Sequence, residues 1–243
     1  MSSADSPGHS TSKAEAVFIF DLDRTILSVN SFPYWVLYML TGHFDGLNPV
    51  ERLALSIHTG QILLKRKVLG QSHYRTKQQL QRLWVRAVGK DVTHAATHRL
   101  NIILQGYIRP NIRSVLVAVA QQRIDAFLAT SAAGEYAQEL AKAMGFIHVL
   151  TTPLCGEPDR LENCGKRKCD RVLAMLAMQG WDQRMRILFT DHEDDLSLIR
   201  ECQRTFWFGS NEDMEDIQAK VPQAKIIACR NLSDAEILRL CNI

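Results

Sequence analysis

Short apolar runs recur along the chain, separated by segments whose apolar positions repeat every three or four residues. Ala16-Val17-Phe18-Ile19-Phe20 is continuous, β-branched and aromatic. That pattern predicts a strand buried on both faces, as in parallel sheets. Runs of the same kind cover residues 126–129, 148–151, 187–189, 205–208 and 225–228. Between them lie helical patterns. Tyr136, Leu140 and Met144 stand four apart and stop at Gly145, a C-terminal stop signal. Ser210, followed by Asp213, Glu215 and Asp216, predicts an N-cap and an acidic first turn. Strands alternating with helices predict a parallel α/β sheet of Rossmann-like type.

Residues 32–108 break that rhythm, with helix-like patterns and no clear strand. The strongest runs from Tyr74 to Val88, where Leu80, Leu83, Trp84, Ala87 and Val88 form one apolar stripe. The expected organisation is an α/β core of residues 15–31 and 109–243, interrupted by a helical insert over 32–108. Phe32, Tyr34, Trp35, Leu37 and Tyr38 are expected mainly as core, with the entrance of the insert as the alternative.

The chain has 243 residues, 46% of them hydrophobic, enough for one cored domain with an insert. A net charge of +3 gives no general pull toward nucleic acid, and no nucleic-acid polymer is expected as a partner. Residues 1–14 are small and polar with no apolar segment behind a basic one, so they predict a disordered tail and not a secretory signal. The apolar cluster from Phe32 to Leu40 is far below the ~20 residues that cross a bilayer. The six cysteines show no metal-finger spacing. Reduced thiols in a cytoplasmic protein are the expectation.

Four segments carry candidate chemistry. Asp21 and Asp23 directly follow the first predicted strand. In open α/β sheets ligands bind at the carboxyl ends of strands, and residues two apart on an extended chain point the same way. Asp191, with Asp194 and Asp195 close behind, follows the run 187–189. Acids at two strand ends make an oxygen-only site suited to Mg²⁺. Thr130 and Ser131 end another strand before a predicted helix. There a hydroxyl serves either as an ordinary cap or as a phosphate contact. Gly165-Lys166-Arg167-Lys168 precedes a helical stretch, where a lysine either faces solvent or neutralises a phosphate.

The order of these segments resembles the four motifs of the haloacid dehalogenase superfamily. Asp21, Asp23 and Thr25 match its Asp-x-Asp-x-Thr motif, and Thr130 its strand-end hydroxyl. Lys168 matches its lysine, with Lys166 as competitor, and Asp191 and Asp195 match its closing acids, with Asp194 as a second choice for the latter. An insert between the first two motifs is similar to the subfamily with a helical cap, which includes phosphoserine phosphatases. The resemblance implies an aspartyl-phosphate mechanism. Asp21 is the nucleophile and Asp23 the acid/base. Thr130 and Lys168 hold the phosphate oxygens. Mg²⁺ rests on Asp21, Asp191 and the carbonyl of Asp23. Asp195 and Thr25 stand behind these groups, and Ser131, Arg24 and His192 are substrate contacts. The dehalogenase branch lacks the second acid, so Asp23 favours phosphoryl transfer. Asn30 stands where phosphoserine phosphatases carry an amine-binding glutamate, which predicts a poor fit for phosphoserine.

The function so implied is Mg²⁺-dependent hydrolysis of a small or anionic phosphate ester. A phosphotransferase or mutase would share the motifs, and a non-catalytic phosphate- or anionic-lipid-binding protein would share the fold. Residues 65–99 hold nine Lys/Arg against the single acid Asp91. They form either a solvated face or a surface that attracts anions, which leaves peripheral contact with a membrane open.

Overall fold

The computed structural model of the chain describes residues 15–41, 47–154 and 162–243. The predicted tail, Cys155 and most of the stretch between Thr152 and Asn163 lie outside the described residues.

Six strands form one parallel sheet: β1 (Ala16–Phe20), β2 (Asp125–Ala133), β3 (His148–Thr152), β4 (Met185–Thr190), β5 (Arg204–Trp207) and β6 (Ile226–Ala228). Their spatial order is β3-β2-β1-β4-β5-β6. Every apolar run expected to be a strand is one. β1 is central, and all five of its residues are buried. Its side chains alternate between two cores. Phe18 and Phe20 belong to one, Val17 and Ile19 to the other, as the period of two requires. Phe20, Phe189 and Phe206 stack across three adjacent strands, with centroids 4.5 and 4.7 Å apart. The chain leaves β1 toward β2 on one side and takes up β4 on the other. The reversal between β1 and β4 is the crevice in which such sheets bind ligands.

Helices α5 (Arg113–Ala120), α6 (Gly134–Ala143), α7 (Gly165–Met178), α8 (Leu196–Arg200), α9 (Asn211–Lys220) and α10 (Asp234–Leu240) flank the sheet. Four more, α1 (Ser31–Thr41), α2 (Pro49–Leu69), α3 (His73–Val88) and α4 (Lys90–Gln105), follow one another between β1 and β2. Helix α2 starts on a capping box, with Asn48 accepting from Val50 and Glu51 N–H, and ends at Gly70 with φ 63°. Pro33 is tolerated inside α1 because it sits in the first turn, where backbone N–H groups have no helical partner. The insert shares a core with the sheet. Trp35 of α1 meets Trp84 of α3 edge-on at 4.7 Å and Tyr136 of α6 at 5.7 Å. The segments entering and leaving the insert are pinned together. Ser28 N–H donates to the Tyr107 carbonyl and Arg109 N–H to that of Ile26.

The expected stripe on α3 needs correction. Leu80 and Trp84 are buried, but Ala87 is exposed, and Thr76, Lys77 and Gln81 take the inner face instead. Residues 77, 80, 81 and 84 follow the helical period as well as the apolar set does. Periodicity of apolar residues alone could not see a lysine turned inward. Of the aromatic set after the first motif, Trp35 is fully buried and Leu37 is exposed, so these residues do not act as one group.

Candidate active site

Asp21 directly follows β1, and its backbone is extended, with φ −80° and ψ 162°. The chain then turns sharply. Arg24 adopts φ 55°, costly for a residue with a Cβ and found where surrounding structure enforces it. Here Arg109 does so, donating from Nε (3.1 Å) and Nη2 (2.8 Å) to the Arg24 carbonyl. This turn brings Asp21 and Asp23 to one cavity of about 570 Å³, which Arg24, Ser131, Lys168, Asp191, His192 and Asp195 also line.

Lys168, in the first turn of α7, organises the floor. Its buried Nζ donates to Asp21 Oδ1 and Asp195 Oδ2, both at 2.8 Å. Asp195 also accepts from the Thr190 hydroxyl at 2.6 Å. Burial alone would lower the Lys168 pKa, but Asp195 and Asp21 outweigh it and raise it. The ammonium is therefore permanent at physiological pH. Of the rivals, Lys166 is exposed and does not line the cavity, and Asp194 is exposed at its edge.

The acids are under electrostatic load. Burial pushes Asp21 up to about 6 against the pull of Lys168. Burial, then the nearby charges of Asp21 and Asp195, pushes Asp191 up to about 7. The Thr25 hydroxyl donates to Asp191 Oδ1 at 3.3 Å, and a neutral group offsets little of that charge. Asp23 is likewise raised by burial, partly relieved by the Ser31 N–H donating to its Oδ1 at 2.8 Å.

This donor set fits a hard cation. Among the described residues no three His, Cys, Asp or Glu side chains converge as a ligand group. What the site offers is two crowded carboxylates, Asp21 and Asp191. Mg²⁺ takes one or two carboxylates and keeps several waters, and a divalent charge would relieve their repulsion.

One expected contact is placed differently. Thr130 is fully buried, its hydroxyl accepts from Ala132 N–H at 3.1 Å, and it is not among the lining residues. Ser131 takes that place on the wall. His192 lines the cavity, but its Nδ1 is occupied as a cap, accepting from Asp194 N–H. Asn30 lines the cavity too, while its side chain caps the start of α1 by accepting from Phe32 N–H at 3.0 Å.

Other lining residues escaped sequence reasoning. Arg66, His73 and Lys77 come from the insert, and Glu162 and Asn163 from the segment before α7. Lys77 Nζ donates to the Ser131 carbonyl at 2.8 Å and to Glu162 at 2.5 Å. Its spacing of three and seven residues before Leu80 and Trp84 was the signal that could have found it. Asn163 donates from Nδ2 to the Thr130 and Leu150 carbonyls, both at 3.0 Å, tying β2 to β3 beside the cavity. A lone loop asparagine carries no sequence signal of that kind.

Residues 18–200 match the family model of haloacid dehalogenase-like hydrolases. The chain belongs to this family. Among solved structures it is similar to a protein of unknown function from Bordetella pertussis Tohama I, with a TM-score of 0.71 at 17% identity over 89% of this chain and 99% of that one. A probable phosphoserine phosphatase from Vibrio cholerae gives 0.55 at 10% identity, covering 93% of this chain and 64% of its own. A phospho-aspartyl intermediate analogue of phosphoserine phosphatase gives 0.53 at 10% identity, covering 94% and 99%. At such identities the likeness is one of fold. It agrees with the helical insert of α1 to α4 between the first strand and the second. No curated protein matches the chain in sequence.

Proposed function

We propose that the protein is a Mg²⁺-dependent phosphomonoester hydrolase that works through an aspartyl-phosphate on Asp21. The observation that carries this reading is the pair of 2.8 Å bonds from Lys168 to Asp21 and Asp195, which holds a nucleophile-grade carboxylate at a strand end with Asp23 beside it.

Lys168 keeps Asp21 oriented and presents a fixed positive charge to the equatorial oxygens of a transferring phosphoryl group, the positioning and electrostatic work that phosphoryl transfer needs. A cation held by Asp21, Asp191 and the Asp23 carbonyl would supply Lewis-acid offset of phosphate charge. A carboxylate oxygen of Asp21 bonds to phosphorus as the ester P–O bond breaks. Asp23, whose carboxyl burial pushes above its ordinary value, gives a proton to the leaving alkoxide. It then takes a proton from the water that attacks the aspartyl-phosphate, which restores Asp21 and releases phosphate. Ser131 contacts the phosphate from the wall. Thr130 supports it through the strand end, with its own hydroxyl already bonded. The four helices of the insert act as a cap, and Lys77 ties that cap to the core.

The deciding experiment is hydrolysis of an aryl phosphate with Mg²⁺ by wild type and Asp21→Asn, each with a melting curve. Asp21→Asn is expected to abolish turnover while keeping the fold. Retention of more than a few per cent activity removes Asp21 as nucleophile. Phosphoryl transfer to an added alcohol, outrunning hydrolysis, would move the protein to the phosphotransferases that share this intermediate.

A further inference from the structure

Helix α2 has two apolar faces. The inner one holds Leu55 and Thr59, both buried, and Ile62, packed against the main core. The outer one holds Val50, Leu53, Ile57, Leu64 and Val68, which are 51% to 75% exposed. At ~100° per residue these five fall within roughly 60° of one another, and their sector lies diametrically opposite the inner face. The stripe runs ~27 Å along the helix. Single exposed apolar residues are ordinary, but an ordered stripe of five is a contact surface.

Charge identifies the partner. Lys65 and Lys67 are exposed and flank the stripe on its two sides. On α3, which packs against α2, Arg75, Arg82 and Arg86 are exposed. Their spacing of seven and four aligns them within roughly 40°, again opposite the buried face of their helix. Seven of the nine basic residues over 65–99 are exposed, and only Arg66 and Lys77 turn toward the cavity. A second copy of this surface would set like charges against each other. An anionic lipid leaflet offers negative headgroups to the arginines and lysines and an acyl boundary to the stripe. No helix among the described residues is long and apolar enough to cross a membrane, so the helix would lie in the interface.

We infer that the outer face of α2, with the arginine row of α3, docks the protein on anionic membrane surfaces. The inference stands apart from the proposed chemistry, since none of these residues lines the cavity. The test uses the full chain, sedimented with vesicles of mixed phosphatidylserine and phosphatidylcholine or of phosphatidylcholine alone, at low and moderate salt. Wild type is expected to pellet with the mixed vesicles only, and less as salt rises. Ile57→Glu with Leu64→Glu should abolish pelleting while leaving the helical circular dichroism and aryl phosphate hydrolysis unchanged. Arg82→Gln with Arg86→Gln should lower partitioning roughly tenfold or more. Failure of wild type to pellet overturns the inference, as does binding indifferent to the Ile57 and Leu64 changes. Self-association in the ultracentrifuge that those two changes abolish, without vesicle binding, would replace the membrane by a second copy.

Discussion

Lys77 Nζ, on a helix of the insert, lies 2.8 Å from the carbonyl oxygen of Ser131 at the end of β2. With Glu162 at 2.5 Å, this puts one buried ammonium across the seam between cap and core. Hydrogen bonds to charged groups are worth about 1.5–3 kcal/mol. Lys77→Met keeps the bulk and removes both bonds, so we expect a melting temperature lower by roughly 3–10 °C for a chain of this size. KM should rise more than kcat falls, because cap closure and not the reacting groups is damaged. An unchanged melting curve and KM would show that the seam does not depend on Lys77.

The two lysines of the third motif separate cleanly. Lys168 is buried on Asp21 and Asp195, and Lys166 is exposed. Lys168→Met should cost at least a hundredfold in kcat, the scale for removing one preorganised charge or donor from a transition state. Lys166→Met should stay within about twofold. The check is steady-state hydrolysis with saturating Mg²⁺, and the reverse ranking would overturn the assignment of Lys168.

Mg²⁺ should stabilise the protein as well as activate it. Asp21 and Asp191 are crowded, and a ligand that binds only the folded state raises stability by mass action, about 2.7 kcal/mol at a hundredfold excess over Kd. Thermal shift should therefore rise with Mg²⁺ and return to baseline with chelator. In Asp191→Asn the increment should largely vanish while the metal-free protein melts no lower than wild type, since a repelling charge has been removed. A full Mg²⁺ increment in that variant would show that Asp191 is not a ligand.

The buried thiols predict an alkaline weakness. Burial raises Cys169 to about 11 and Cys229 and Cys241 to about 12, against 9.0 for a free thiol. Below pH 9 these thiols are protonated both in the folded and in the unfolded chain, so their contribution is fully present. As pH rises from about 9 to 12 the unfolded chain ionises first, and stability is lost. Melting temperature should therefore fall across that window. Native protein should also react slowly with thiol alkylators at neutral pH, because the thiolate is the reactive form. Rapid alkylation of Cys229 in native protein would contradict its burial.

The sequence by itself determined the sheet and the order of its chemistry. Runs such as 16–20 are short, apolar on both faces and rich in β-branched and aromatic residues, a pattern that fits a buried parallel strand, and acids placed directly after such runs lie at strand ends wherever the helices go. Asp21, Asp23, Asp191 and Asp195 were legible for that reason. What depended on the third dimension stayed hidden. Helical spacing to Leu80 and Trp84 allows Lys77 to face inward, but no local feature requires a lysine to do so. Its inward turn is set by Ser131 and Glu162, which are 54 and 85 residues away. Thr130 and Ser131 are neighbours of the same chemical kind, and only the path of β2 decided which one faces the cavity. The outer stripe of α2 was invisible for a related reason. Apolar periodicity says that a helix has a face to cover, but whether the fold covers it is settled by what packs there, and on α2 the sheet and its neighbours cover only the other side.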